Sequence, residues 1–252
     1  MNLLPADFSP WLAAALTALS FVSSMLTASA GLGGGVIMLA VMATVMPPSA
    51  VIPTHGVIQL GSNAGRAFIM RDAVDRKVVG WFALGAVVGA AFGGSVMVAL
   101  RPGVLELILG LFILFSAWGP QFRKLRIADR GFALVGVATT FLTMFVGGTG
   151  PFVAAFVNPD RFGKEATVAT HGACMTIQHG FKVAVFIALG FAFGPWLALL
   201  AMMIAAGFLG TLTGRAVLLE LPERTFKGVF RAVLTLLALR LLWSAATALA
   251  SA

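Results

Sequence analysis

The sequence predicts an all-α polytopic membrane protein made of two inverted repeats of about five helical segments each, or about 8–10 membrane segments, with short broken helices at Gly-rich motifs. Three observations predict it. The chain is 60% hydrophobic and 10% charged with a mean hydropathy of +1.00, well outside the soluble globular range. A set of polar and glycine motifs occurs twice, 116 residues apart, in one ungapped register. Equivalent loops of the two halves carry opposite charge character, as they must if they lie on opposite faces of a bilayer.

The repeat is sparse but chemically pointed. Gly31-Leu32-Gly33-Gly34-Gly35 is echoed by Gly147-Gly148-Thr149-Gly150-Pro151, Thr54-His55-Gly56 by Thr170-His171-Gly172, and Arg66 by Lys182. It divides the chain into an N-terminal transmembrane repeat over residues 1–120 and a C-terminal inverted one over 121–252. No Asp, Glu, Lys or Arg occurs from Phe8 to Gly65, from Gly131 to Val157 or from Val183 to Gly214. A helix crossing the bilayer needs about 20 apolar residues, so these runs hold several segments. In order, the first half reads Pro10–Ala30, Gly33–Met46, Ala50–Met70, Val78–Leu100 and Gly103–Gly119. The second half reads Gly131–Val146, Pro151–Val157, Glu165–Gly190, Pro195–Val217 and Thr225–Ala248. The second segment of each half is too short to span and is drawn as a half-helix starting at the glycine cluster. Prolines 47, 48, 53, 102, 120, 159, 195 and 222 mostly fall at segment ends, where a missing N–H costs least. Ala28-Ser29-Ala30 resembles a signal-peptidase site, but residues 1–10 lack Lys and Arg. The basic start of a leader is therefore missing, and the first segment is read as a membrane helix.

Charge sets the topology. The turn 71–77 is rich in Arg, Lys and Asp, whereas its counterpart at 190–195 is uncharged. Residues 46–49 are neutral, whereas their counterpart at 158–164 holds Arg161 and Lys164. The cation-free N-terminal tail corresponds to 121–130, with Arg123, Lys124, Arg126 and Arg130. Assigning the basic loops to the cytoplasm puts both termini outside a bacterial inner membrane. Of the 17 Lys and Arg residues, only Arg66, Lys182, Arg101 and Arg240 then fall elsewhere. The same assignment explains the +8 charge without nucleic acid as a partner.

The third and eighth segments carry the chemistry. His55, Gln59, Asn63 and Arg66 are spaced by four, four and three, and so share one helical face. His171, Cys174 or Met175, Gln178 or His179, and Lys182 repeat the pattern. Two such stripes, related by the repeat, are candidates to line one cavity. Thr54 and Thr170 are assigned to helix–helix hydrogen bonding, the ordinary task of hydroxyls in membranes. Cations at depth cost a few kcal/mol and are rarely kept without a task. The acidic residues all fall in loops or at segment ends, so an embedded site offers cationic and protonatable groups, which favours an anion. Gly33, Gly34 and Gly35, with Gly148, Thr149 and Gly150, are added as candidate binding positions, where free N–H groups and a helix dipole can face the anion. Gly85, Gly89 and Gly93, like Gly207, Gly210 and Gly214, read instead as packing seams.

At these residues the chain resembles the TauE/SafE family of sulfite exporters. The glycine cluster after the first helix, the Thr-His-containing third helix and the inverted echo of both carry the likeness, which runs from Pro10 to about Ser244. Thr149 and Pro151 depart from the glycines of the first cluster, so the two half-sites differ. The resemblance implies a secondary transporter of sulfite, an organosulfonate or another small sulfur-containing or organic anion, working by alternating access. It implies neither cofactor nor metal and no enzymatic activity. Protons are a candidate coupling partner through His55, His171 and His179, because imidazole titrates near neutrality. A homodimer is compatible with the sequence. Two other readings are carried: thiol-assisted uptake of a reactive sulfur anion at Cys174, and a membrane-embedded enzyme. A lone Cys in an apolar helix is usually inert, and three His with one Cys make a thin ligand supply.

Overall fold

The computed structural model describes residues 8–30, 34–97, 102–119, 126–157, 159–216 and 223–250. Gly33 and Arg101 lie outside these, with Arg123 and Lys124. Among the described residues every regular element is a helix and there are no strands. The first half comprises α1 (Pro10–Ala30), α2 (Gly34–Val45), α3 (Pro48–Ile69), α4 (Arg76–Met97) and α5 (Pro102–Trp118). The second comprises α6 (Phe132–Val146), α7 (Gly150–Phe156), α8 (Pro159–Phe162), α9 (Lys164–Ala188), α10 (Leu197–Ala216) and α11 (Glu223–Ala250). The chain is an all-α polytopic membrane protein.

Prolines and glycines punctuate it as expected. Pro10, Pro48, Pro102 and Pro159 each open a helix, where φ near −65° is already helical and the N–H is not needed. Gly147 ends α6 at φ +74°, returning its N–H to Thr143 O, a conformation that other residues enter only at a cost. Pro53 departs from the expectation of segment ends, for it stands buried inside α3. Neighbouring helices can re-satisfy the carbonyl it frees, which makes a proline inside a membrane helix tolerable. The one-turn helix α8 occupies a stretch read from sequence as a loop. Glu106 lies in the second turn of α5, with its Oε2 buried and without a hydrogen-bond partner.

Helices α1, α4, α6 and α10 lie in the stretches long and apolar enough to cross a membrane. Helices α3 and α9, of 22 and 25 residues, have the length but carry the polar stripes. They pack on one another, and Thr54, His55, Asn63, Thr170, His171 and Lys182 are buried. The large exposed side chains Trp11, Phe92, Leu134, Leu209 and Leu236 lie on α1, α4, α6, α10 and α11, a surface suited to lipid.

Two glycine seams hold this arrangement. A Cβ on Gly85 would lie 1.8 Å from Ala133 O, and one on Gly89 2.3 Å from Val137 O, so α4 and α6 meet backbone to backbone. In the second seam, a Cβ on Gly210 would lie 2.1 Å from Phe21 O, and one on Gly214 2.4 Å from Met25 O, joining α10 to α1. Without an apolar driving force between helices in lipid, such close approach is what lets dispersion contacts hold them together. The seams correspond: Phe21 and Met25 map by the 116-residue register onto Val137 and Phe141, the two α6 residues facing Gly89. Helices equivalent in the two halves thus exchange partners, α1 with α10 and α6 with α4, while α3 packs on α9 and α5 on α11.

Candidate functional site

Where α3 and α9 meet the starts of α2 and α7, a cavity opens with about 420 Å³ of unfilled space, part of it open to solvent. Repeat-related residues line it in pairs: Gly35 with Pro151, His55 with His171, Gln59 with Met175, and Asn63 with His179. Arg66, Gly148, Gly150, Thr27 and Val36 complete the wall. The site is therefore built from two helical faces, as period-3.6 spacing requires, closed by the two helix breaks.

The histidines are fixed by backbone. His55 donates from Nε2 to Gly35 O at 3.0 Å, and His171 donates from Nε2 to Gly150 O at 3.0 Å. A carbonyl only accepts, so Nε2 carries the proton in both rings. Each long helix is thus tied to the first turn of the short helix in its own half. His55 Nδ1 and His179 Nδ1 are buried without partners, and the two rings meet edge-on with centroids 6.2 Å apart. Asn63 donates to Gln59 O at 2.7 Å. Gln59 is held close to the first break, its Nε2 lying 2.9 Å from where a Cβ on Gly35 would be.

Arg66 is the embedded cation in the cavity wall. It is buried, its Nε has no hydrogen-bond partner, and no Asp or Glu is among the lining residues. Lys182, its repeat partner, is fully buried and donates from Nζ to Gly147 O at 3.0 Å. Gln178 donates from Nε2 to Thr149 Oγ1 at 2.6 Å. Gln178, Lys182, Thr149 and Gly34 therefore sit behind the cavity wall rather than in it, while Gly33 is outside the described residues. At the second glycine cluster the expectation of free N–H groups is narrowed at Gly148. The N–H groups of Gly147 and Gly148 go to Thr143 O and Val146 O, because the tight turn uses them internally. Helix α7, with seven residues, is also too short for a useful macrodipole.

Cys174 is buried in an apolar cluster with Val78, Phe82, Phe132 and Val153, away from the cavity lining. Among the described residues no three His, Cys, Asp or Glu side chains gather where a metal ion could sit. The sequence reading missed a hydroxyl trio. Ser23, Ser24 and Thr27 of α1 return as Thr139, Thr140 and Thr143 of α6 in the same register. Thr27 reaches the cavity wall, Ser24 shares a hydrogen bond with Ser62 at 3.2 Å, and Thr143 donates to Gly147 O at 3.1 Å. The 116-residue offset alone could have found them, since hydroxyls recur at all three places.

These features define a polytopic helical membrane protein with a buried polar cavity between two repeats. Residues 16–241 match the family described as sulfite exporter TauE/SafE. The chain belongs to that family. It is also 31% identical over 150 residues to a protein of Haemophilus influenzae described as a probable membrane transporter protein. That similarity covers 56% of this chain and 58% of the relative. No solved structure matches the chain.

Proposed function

We propose that the protein is a secondary transporter that moves a small anion, sulfite or an organosulfonate, out across the bacterial inner membrane by alternating access. The observation that carries this reading is Arg66: a buried guanidinium facing a polar cavity whose lining holds no carboxylate. Desolvating an anion is costly unless a cation and hydrogen-bond donors replace its water. Arg66 supplies the charge in forked geometry, and Gln59, Asn63, His171 and His179 supply side-chain contacts around it. The family's sulfite exporter description and the relative's printed name support transport and suggest the anion. An inside-negative potential drives an outgoing monoanion by about 2.3 kcal/mol per 100 mV, so export needs no further coupling, although a proton remains a candidate co-substrate through the imidazoles.

The test is counterflow in proteoliposomes. Vesicles preloaded with unlabelled sulfite should accumulate labelled sulfite transiently and chemically unchanged, and Arg66→Gln should raise the sulfite needed for half-maximal counterflow by about tenfold or more in correctly inserted protein. Absence of counterflow for sulfite, short sulfonates and short carboxylates alike would discard the anion reading. Chemical conversion of the label would favour the enzyme reading.

A further inference from the structure

Four repeat-related pairs line the cavity from both halves, but the pair of embedded cations is split. Arg66 faces the cavity, whereas Lys182 does not. The split has a visible cause in the packing. A Cβ on Gly56 would lie 2.8 Å from Lys182 Cε, so the missing side chain of Gly56 makes the groove in which the lysine stem runs. At the equivalent Gly172 the nearest neighbours are backbone atoms of Ala67 and Asn63 at 3.5 Å, and the arginine stem is not among them. The Lys182 stem therefore crosses onto α3 and its head group ends on Gly147 O, which also accepts from Thr143. Gly147 is the left-handed residue that ends α6 ahead of α7. Its carbonyl is no longer used by a continuing helix and needs donors from elsewhere.

We infer that the embedded cations have separate tasks: Arg66 alone meets the anion, and Lys182 is a positioning residue that braces the α6–α7 break against α3 through Gly56. The first half of this statement rests on the anion reading above; the second does not. Three elements converge on the brace, with Gly56 from α3, Lys182 from α9 and Gly147 after α6. Any relative movement of the two halves must slide this contact or carry it along. Its loss should therefore slow the transport cycle without changing the anion's own contacts.

The experiment uses the full chain, purified and reconstituted, with sulfite as the probe. Melting temperature without anion, half-saturating sulfite and maximal counterflow rate are measured for Arg66→Gln, Arg66→Lys, Lys182→Gln, Gly56→Ala and the Gly56→Ala/Lys182→Gln double variant. Lys182→Gln and Gly56→Ala should each lower the melting temperature by several degrees. The double variant should fall little further, since both break one contact. Their maximal rates should drop while half-saturation stays within about twofold of the unaltered protein. Arg66→Gln should instead raise half-saturation by about tenfold or more, with little change in melting temperature, and Arg66→Lys should recover part of that loss. Two results would overturn the inference: half-saturation raised as much by Lys182→Gln as by Arg66→Gln, or additive losses in the double variant. If the unaltered protein responds to no anion, the anion reading and the Arg66 assignment fail together. The double variant still decides the brace, because its readout needs no ligand.

Discussion

At the residue scale, His55 and His171 each join a long helix to the start of a short one through a single N–H to a carbonyl. Replacing either ring by Phe keeps most of its volume but leaves Gly35 O or Gly150 O without its donor. In a membrane protein such a bond contributes about 0.5–2 kcal/mol, so each variant should unfold at measurably lower denaturant, by a similar amount. A loss from one and none from the other would mean that only one short helix is held this way. Much of the site was legible at this scale. Spacings of three and four put His55, Gln59, Asn63 and Arg66 on one face, and the register paired His55 with His171. What could not be read was which of two neighbouring stripes of α9 faces the cavity. His171, Met175 and His179, four apart, line it, whereas Gln178 and Lys182, also four apart, turn to the break after α6. Periodicity defines a face, but a helix with neighbours on several sides has polar partners in more than one direction. Only the neighbouring helices decide which partner each stripe meets.

At the scale of elements, the glycine seams determine how close α4 comes to α6 and α10 to α1. Gly89→Ala and Gly210→Ala should each destabilise the protein by about 1–3 kcal/mol, the usual cost of overpacking, because the new methyl would meet carbonyl oxygen at 2.3 and 2.1 Å. Gly80→Ala is the control: it lies in α4 with nothing within 4 Å of the new methyl, and Ala is the better helix former. Thermal denaturation of the three variants in one detergent checks this, and equal behaviour of all three would mean the seams tolerate separation. Helix bounds were legible to within a few residues because Pro and Gly punctuate them. The register was legible only as far as α9. Beyond it, Gly89 and Gly93 are matched by Gly210 and Gly214, an offset of 121 rather than 116. Helix α9, at 25 residues, outruns α3, at 22, and the connection from α9 to α10 is also longer than its counterpart. An ungapped comparison cannot see past such an insertion.

For the whole molecule, the exchange of partners between equivalent helices bears on how the halves are related. If residues 1–120 and 121–252 were related by a translation or by an axis along the membrane normal, the turns α3–α4 and α9–α10 would emerge on the same face. If the axis lies in the membrane plane, as the reversed loop charges argue, they emerge on opposite faces. The exchange of partners alone fits any two-fold axis, so sidedness must be measured. Asp72, Arg130 and Ala192 are exposed; Asp72 and Ala192 lie between the membrane-length stretches, and Arg130 is the second residue of the stretch that holds α6. Each is replaced singly by Cys in a Cys174→Ser background and labelled in intact cells with a membrane-impermeant maleimide, before and after permeabilisation. The cysteines at 72 and 130 should be protected until permeabilisation, placing both basic turns in the cytoplasm. The cysteine at 192, in the turn equivalent to that at 72, should react from outside. Labelling of 72 and 192 from the same side would reject the inverted arrangement. Labelling of 72 and 130 from opposite sides would reject the charge-based topology. The stakes reach the proposed mechanism: an inverted pair would let the two halves exchange roles in an alternating-access cycle, with His55 and His171 holding equivalent helix breaks.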